Sequence, residues 1–517
     1  MRSNQPADQP GPVVAPGRAR FPSLYQVNAR VWLGELSGQP GRPLPLDQVP
    51  DEALDRLADR GFDWLWLMGV WQTGPAGEAV ARALPALRAE CQALLPDFTE
   101  DDIVSSPFAV RGYTAHADFG GDAALARFRR RLHDRGLRLM LDFVGNHTAP
   151  DHPWVWDHPE YYVQGGEADL AREPGTYCRV ETWYGPRVLA HGRDPYFPAW
   201  TDTLQLNYRH PALRQAMRNE LAAIAERCDG VRCDMAMLLL PDVFVRTWGE
   251  RARPADGAQA ADTPFWAEAV AAVRERQPQF VFLAEAYWDL EYVLQQQGFD
   301  YTYDKRLYDR LRGGDAGAVR GHLYADPEYQ RKSARFLENH DEPRAAAVFP
   351  WPQHQAAAAI TFLVPGLRFF HEGQLEGRRL RIPVQLRRRP PEPVDPAVQE
   401  FYGRLLEWIR RPEVRDGRWQ LLECRPAGDG NASWRGFIVF TWDGGDGQRL
   451  LVAVNYAPQP GQCLVPLPLS DSQGRTFLLR DLTGTAYHER SGDELAGRGL
   501  LVDVPAWEYQ VFAVGAR

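Results

Sequence analysis

Four apolar runs in this sequence each end on side chains able to donate protons, accept them or attack carbon. LRLMLDF at 137–143 leads into VGNHT and carries Asp142, Asn146 and His147. GVRCDMAM holds Arg232 and Asp234, and FVFLA at 280–284 leads directly into Glu285. RFLENHDEPR holds Glu338, Asn339, His340, Asp341 and Arg344. Paired carboxyls with an arginine and histidines are the parts of acid–base and nucleophilic catalysis: an ionised carboxylate attacks and a protonated one gives up its proton. Arg232 beside Asp234 favours the charged form. Glu285 follows an apolar run and lies between Ala284 and Ala286, a setting that favours the protonated form. Taken singly, each residue has a plainer explanation. An Asp after a strand is usually a helix cap or turn residue, a lone His is usually a satisfied core residue, and an Arg is a structural ion-pair partner. Four strand ends of this kind in one chain are hard to explain as independent caps.

The elements needed to bring these groups together are legible as a rhythm. Strands are predicted at 25–33, 62–68, 137–143, 230–233, 280–284, 299–301, 334–337 and 367–370, and helices at 51–60, 123–135, 211–227, 264–276 and 396–410. Alternation of this kind implies a parallel sheet. Eight strands spread over about 390 residues fit a (β/α)8 barrel with long insertions. The competing doubly wound sheet usually carries a Gly-rich turn after its first strand, and Leu33-Gly34-Glu35 is not that turn. In a barrel the chemical groups above would meet at the C-terminal rim. Two excursions break the rhythm, 69–106 and 146–207, the second rich in Trp, Tyr, His and Pro. After about residue 414 only strands and turns follow. The expected organisation is a disordered tail at 1–20, a catalytic barrel at 21–145 and 208–413, an inserted subdomain after the third strand at 146–207, and a C-terminal antiparallel β-sandwich at 414–517.

Composition narrows the function classes. The 517 residues are 44% hydrophobic and 25% charged, with a net charge of −9, which argues against nucleic-acid binding. The run Arg387-Arg388-Arg389 is short enough to be a solvated turn. Six cysteines lie scattered with no CxxC pair, so reduced thiols are expected rather than disulfides or zinc. The N-terminal residues lack the apolar core of a signal peptide, and no stretch approaches the roughly 20 apolar residues of a membrane span. The expected location is the cytoplasm.

The motifs DFVGNH, GVRCD, the isolated Glu285 and ENHDEPR resemble, in order, the four signature regions of the α-amylase family of glycoside hydrolases. The resemblance covers roughly 25–410, and the C-terminal sandwich fits it too. It implies a retaining enzyme that cleaves α-glucosidic bonds of oligosaccharides or glucans. Asp234 falls at the nucleophile, Glu285 at the general acid/base, and Asp341 at the third carboxylate, which binds sugar hydroxyls. Arg232 would orient Asp234, Asp142 would pair with Arg232, and His147 and His340 would bind the sugar at the cleaved bond. Phe108, five residues before Tyr113, matches a position where a family Tyr stacks on sugar. Trp288, three residues after Glu285, is the best placed of the rim aromatics Trp71, Trp154, Trp156, Trp183, Tyr184 and Trp200. Asn146 and Arg344 would support the site.

The sequence also departs from the family pattern. Met237 and Leu238 stand where many members carry Lys-His, which implies an apolar acceptor side. Gln205 replaces an Asp that ligates calcium, together with the residue at the Asn146 position, in calcium-dependent members; no metal or other cofactor is therefore expected. Glu342 replaces a commoner Asn and is expected to pair with Arg344. A transglycosylase or isomerase of the glucanotransferase, branching or trehalose-forming type would share all three carboxylates. A non-catalytic sugar-binding relative is the third reading, and it would typically have lost at least one of them. Neither a nucleic-acid nor a membrane partner is expected, and oligomeric state is not encoded in these motifs.

Overall fold

The computed structural model describes residues 19–517 except 40, 446, 470 and 471. Most of the expected tail, residues 1–18, lies outside the described residues. Eight strands close into a barrel: β1 (Ser23–Asn28), β2 (Trp64–Met68), β3 (Arg138–Val144), β4 (Gly230–Asp234), β5 (Val281–Ala284), β6 (Tyr301–Tyr303), β7 (Ser333–Arg335) and β8 (Leu367–His371). Each pairs in parallel with its sequence neighbours, and β8 closes on β1. Strands such as WLWLM in β2 are buried at every position because one face fills the barrel and the other meets the helices. This is the expected (β/α)8 architecture.

Several boundaries shift by about two residues, and the largest change is at the first strand. The run 25–33 is not one strand; β1 stops at Asn28, whose side chain accepts from the Val31 amide and starts the helix Ala29–Leu36. An Asn N-cap overrides the β preference of Val31 and Trp32, which follow it.

Both excursions have internal structure. Segment 69–106 contains the helices Pro75–Ala83 and Pro85–Leu94. It is zipped to the loop after β8: the Val104 amide donates to Gln385 O, the Arg387 amide donates to Asp102 O, and Arg388 pairs with Asp97 and Asp102. Ala81, Leu87, Cys91, Leu95, Ile103 and Leu386 form a small core beneath. Segment 146–207 holds a three-stranded antiparallel sheet, and its two ends are joined where Leu204–Gln205 pairs with His147–Thr148.

The C-terminal part is a six-stranded antiparallel sheet made by β9 (Arg418–Leu422), β10 (Phe437–Asp443), β11 (Arg449–Asn455), β13 (Thr476–Asp481), β14 (Tyr487–Ser491) and β16 (Tyr509–Ala516), faced by a ribbon of β12 (Gly461–Val465) and β15 (Leu500–Val504). One face of the larger sheet shares a core with the ribbon; the other joins the barrel core through Ile438, Phe440, Trp442, Leu450, Val452 and Val454. Among the described residues, no helix is long and apolar enough to cross a membrane.

Candidate active site

Strand register decides which groups meet. Cys233 on β4 is paired with Ala284 on β5, and one residue further along each strand stand Asp234 and Glu285. Arg232, fully buried on β4, turns its guanidinium to both: Nη1 is 2.6 Å from Asp234 Oδ1 and Nη2 is 2.7 Å from Glu285 Oε2. The cation is enclosed by the rings of Phe108, Trp66 and Tyr303, at 5.2, 5.3 and 5.8 Å. The Tyr303 hydroxyl accepts from Nε at 3.3 Å.

Glu285 has two differently occupied oxygens. Oε2 receives Arg232 and the Met235 amide at 2.7 Å, while Oε1 accepts from the Tyr287 hydroxyl at 2.9 Å. Met235, directly after Asp234, has φ +41°, a left-handed conformation that costs a non-glycine residue of order 1–3 kcal/mol and here aims its amide at Glu285. Burial raises the Glu285 carboxyl, Arg232 works against the rise, Asp234 and Asp341 add to it, and the result is about 7.

Asp341 is the exposed member, with about half of its side chain open to solvent. The Asn339 side chain accepts from the amides of Asp341 and Glu342, both at 2.9 Å, and shapes the turn that presents the carboxylate. Partial loss of hydration beside the neighbouring groups acts to raise its carboxyl, but His340 at 3.1 Å, followed by Arg232, holds it well below the usual range. Gln26 on β1 was not singled out by the motifs. Its Nε2 lies 2.8 Å from His340 Nδ1 and can only donate, so His340 carries its proton on Nε2, the nitrogen beside Asp341. The visible signal was a glutamine inside an otherwise apolar barrel strand.

His147 is buried, which lowers its pKa and keeps the ring neutral, and it packs 5.3 Å from the Trp200 ring. Phe108 is half-buried with its ring 5.4 Å from His340. Trp288 is half-buried against Tyr196 at 4.9 Å. Trp71, by contrast, is a core residue whose indole donates to Asp142 O at 2.7 Å.

Several expected contacts are replaced. Asp142 makes no ion pair with Arg232. Its Oδ1 accepts from the Trp66 indole at 3.0 Å and its Oδ2 from the Gly69 amide at 2.7 Å. Gly69 has φ +78°, and a Cβ there would lie 2.6 Å from Pro107, so glycine is required for this approach. Glu342 pairs with Lys305 at 3.1 Å instead of Arg344. Arg344 is buried against Glu338 at 2.7 Å, and the Ala345 amide also binds Glu338, so this pair closes the loop carrying Asp341 without touching the three carboxylates. Met237 and Leu238 belong to the short helical turn Ala236–Leu239 after Asp234, and both are buried in it.

Asn146 and Gln205 bind each other. Gln205 Nε2 donates to Asn146 Oδ1 and to Asn146 O, both at 2.9 Å, and Asn146 Nδ2 donates to Gln205 Oε1 at 3.2 Å. A calcium ion takes several oxygens with carboxylate among them. Here two neutral amides satisfy one another, and no group of three or more His, Cys, Asp or Glu able to hold a metal occurs among the described residues. These residues do not fit the ion.

A closed parallel barrel with such groups at its C-terminal rim is the architecture of the (β/α)8 enzymes. A family model described as the α-amylase catalytic domain matches residues 103–307. Alpha-amylase MalA of Haloarcula japonica is 28% identical over 380 residues, covering 72% of this chain and 46% of that protein. An α-1,4-glucan:maltose-1-phosphate maltosyltransferase of Burkholderia pseudomallei is 28% identical over 298 residues, covering 55% of this chain and 21% of that protein. The chain thus spans less than half the length of either relative. The crystal structure of a noncanonic maltogenic α-amylase, AmyB, from Thermotoga neapolitana shares the fold at a TM-score of 0.67 and 18% identity, covering 96% of this chain and 99% of that one. Over residues 103–307 the chain is thus similar to the α-amylase catalytic domain, and over a longer stretch to a curated α-amylase.

Proposed function

We propose that this chain is a retaining enzyme acting on α-glucosidic bonds of oligosaccharides or α-glucans. The observation that carries the reading is the single guanidinium of Arg232 shared by Asp234 and Glu285, which sit one step beyond a register pair on adjacent strands. Groups so placed suit the short carboxyl separation, about 5–5.5 Å, that a covalent displacement needs. Asp234, oriented by its 2.6 Å contact with Arg232, attacks the anomeric carbon. Glu285, whose carboxyl titrates near neutrality, protonates the leaving oxygen. The glycosyl–Asp234 ester then forms while the bond to the leaving group breaks. Glu285, now ionised, takes a proton from water or a sugar hydroxyl, which releases the ester and restores the acid. Asp341 and the His340 Nε2–H would bind the sugar hydroxyls at the cleaved bond, with His147 as a further donor and the Phe108 ring, 5.4 Å from His340, as a stacking surface. Trp288, packed against Tyr196, is assigned to substrate contact near Glu285. No metal takes part at the Asn146–Gln205 pair. The six cysteines are unbridged, which fits work in a reducing cytoplasm.

Transfer to a sugar acceptor is the second reading, favoured by the maltosyltransferases among the relatives. Incubation with maltoheptaose, with products resolved by chromatography and the first anomer read by proton NMR, separates the two. Shorter α-anomeric products alone support hydrolysis, and products longer than the substrate support transfer. A β-anomer released first would reject the retaining mechanism and the role given to Asp234.

A further inference from the structure

Glu285 Oε2 already accepts two strong donors, Arg232 Nη2 and the Met235 amide, both at 2.7 Å. An oxygen facing a cation and an N–H is the poorer place for a proton, so the acid proton of Glu285 belongs on Oε1. That oxygen has one described partner, the Tyr287 hydroxyl at 2.9 Å. We propose that Tyr287 is a positioning residue for the acid/base: its hydroxyl donates to Glu285 Oε1 and turns the acid proton into the cleft, toward the leaving oxygen. This rests on the reading of Glu285 as the acid/base.

The two states of Glu285 use the same contact. In the neutral carboxyl, the Tyr287 O–H occupies one lone pair of Oε1 and leaves the Oε1 proton directed away from the ring. After that proton has passed to the leaving group, the same O–H stabilises the new carboxylate, because a hydrogen bond to the charged form favours it. Tyr287 transfers no proton itself. Burial, with the charge of Glu285 next, pushes its phenol well above the ordinary range, so it stays a donor throughout.

The backbone beyond Tyr287 is held in a shape that L-residues rarely adopt. Trp288 and Asp289 have φ of +63° and +62°, both left-handed. The Asp289 carboxylate is gripped by Arg306 through Nε, at 2.6 Å, and Nη2. Strain of this sort persists where surrounding contacts over-determine it. Here it sets the chain direction immediately after the residue whose hydroxyl meets Oε1.

The test is Tyr287→Phe, which keeps the ring and removes one oxygen, measured as kcat/KM on two substrates. The sugar displaced from maltoheptaose would depart as an alkoxide without the acid and so needs it; α-maltosyl fluoride expels fluoride and needs it little. General acid catalysis contributes about 10²–10⁴-fold, so a misaimed proton costs maltoheptaose about 10–100-fold while the fluoride changes by no more than about twofold. The alkaline limb of the maltoheptaose profile moves to higher pH, because the carboxylate has lost a donor. Equal losses on both substrates, or an unmoved limb, would overturn the inference and reduce Tyr287 to packing. Wild-type protein that leaves both substrates intact would remove the functional reading itself, and this inference with it.

Discussion

Arg232 contacts two carboxyl groups at once, and each depends on it differently. Removing one partner of a buried ion pair typically costs about 3–5 kcal/mol because the other is left uncompensated. Substitutions that keep shape and polarity therefore test chemistry more cleanly than truncations. Asp234→Asn or Glu285→Gln is expected to lower turnover of maltoheptaose by about 10³-fold or more, with the native circular dichroism spectrum retained at the assay temperature. Substantial activity in either variant would reject its assigned role. The pH profile follows from the same residues. Glu285 must be protonated to act as acid and its carboxyl is pushed up to about 7, so kcat/KM is full below that pH and falls about tenfold per unit above it. Asp341, held low by His340, stays ionised across this range. An alkaline limb near 4.5 would mean that Glu285 is not the acid.

At the scale of elements, the loops at the rim are built rather than loose. The insertion after β3 is closed at its base by the Leu204–Gln205 ladder and the Asn146–Gln205 amide pair. That pair stands where relatives of the calcium-dependent kind use an ion, so prolonged EDTA treatment is expected to leave both activity and melting temperature unchanged. Gln205→Ala, which orphans the buried Asn146 amide, is expected to destabilise by about 1–3 kcal/mol in denaturant titration. A large loss of stability with EDTA, reversed by calcium, would overturn the metal-free reading. The insertion after β2 is likewise tied to the loop after β8, and Arg381 of that loop pairs with Glu90 at 2.9 Å.

At the scale of the whole molecule, the barrel and the C-terminal sheet share one hydrophobic core. Trp442 of β10 is fully buried, its indole donates to Leu363 O at 2.6 Å, and its ring meets Phe21 at 5.0 Å. The Tyr456 hydroxyl donates to Leu311 O at 2.6 Å across the same seam. Trp442→Ala is expected to cost about 3–5 kcal/mol and to lower barrel and sheet stability together, with loss of activity and loss of structure following one denaturation curve. Two separated transitions, the barrel keeping its activity through the first, would show that the seam does not couple them.

The chain's own residue pattern was enough to reveal the barrel, because short continuous apolar runs alternating with amphipathic helices have few other solutions, and enough to single out Asp234, Glu285 and Asp341 as candidates, because they follow such runs. Buried glycine, asparagine and tryptophan positions were less informative. That Asn28 caps a helix, that Asp142 turns to Trp66 and Gly69, and that Glu342 reaches Lys305 are matters of distance between residues far apart in sequence. Gln26 and Tyr287 escaped notice for the same reason: one polar side chain on a strand or after a motif has no signature until the fold sets an acceptor in front of it. The sequence by itself determined which elements form and which groups can react. Only the tertiary structure decided which oxygen of Glu285 meets which donor, because hydrogen bonds are settled over about 3 Å, a scale fixed by packing and register rather than by residue type.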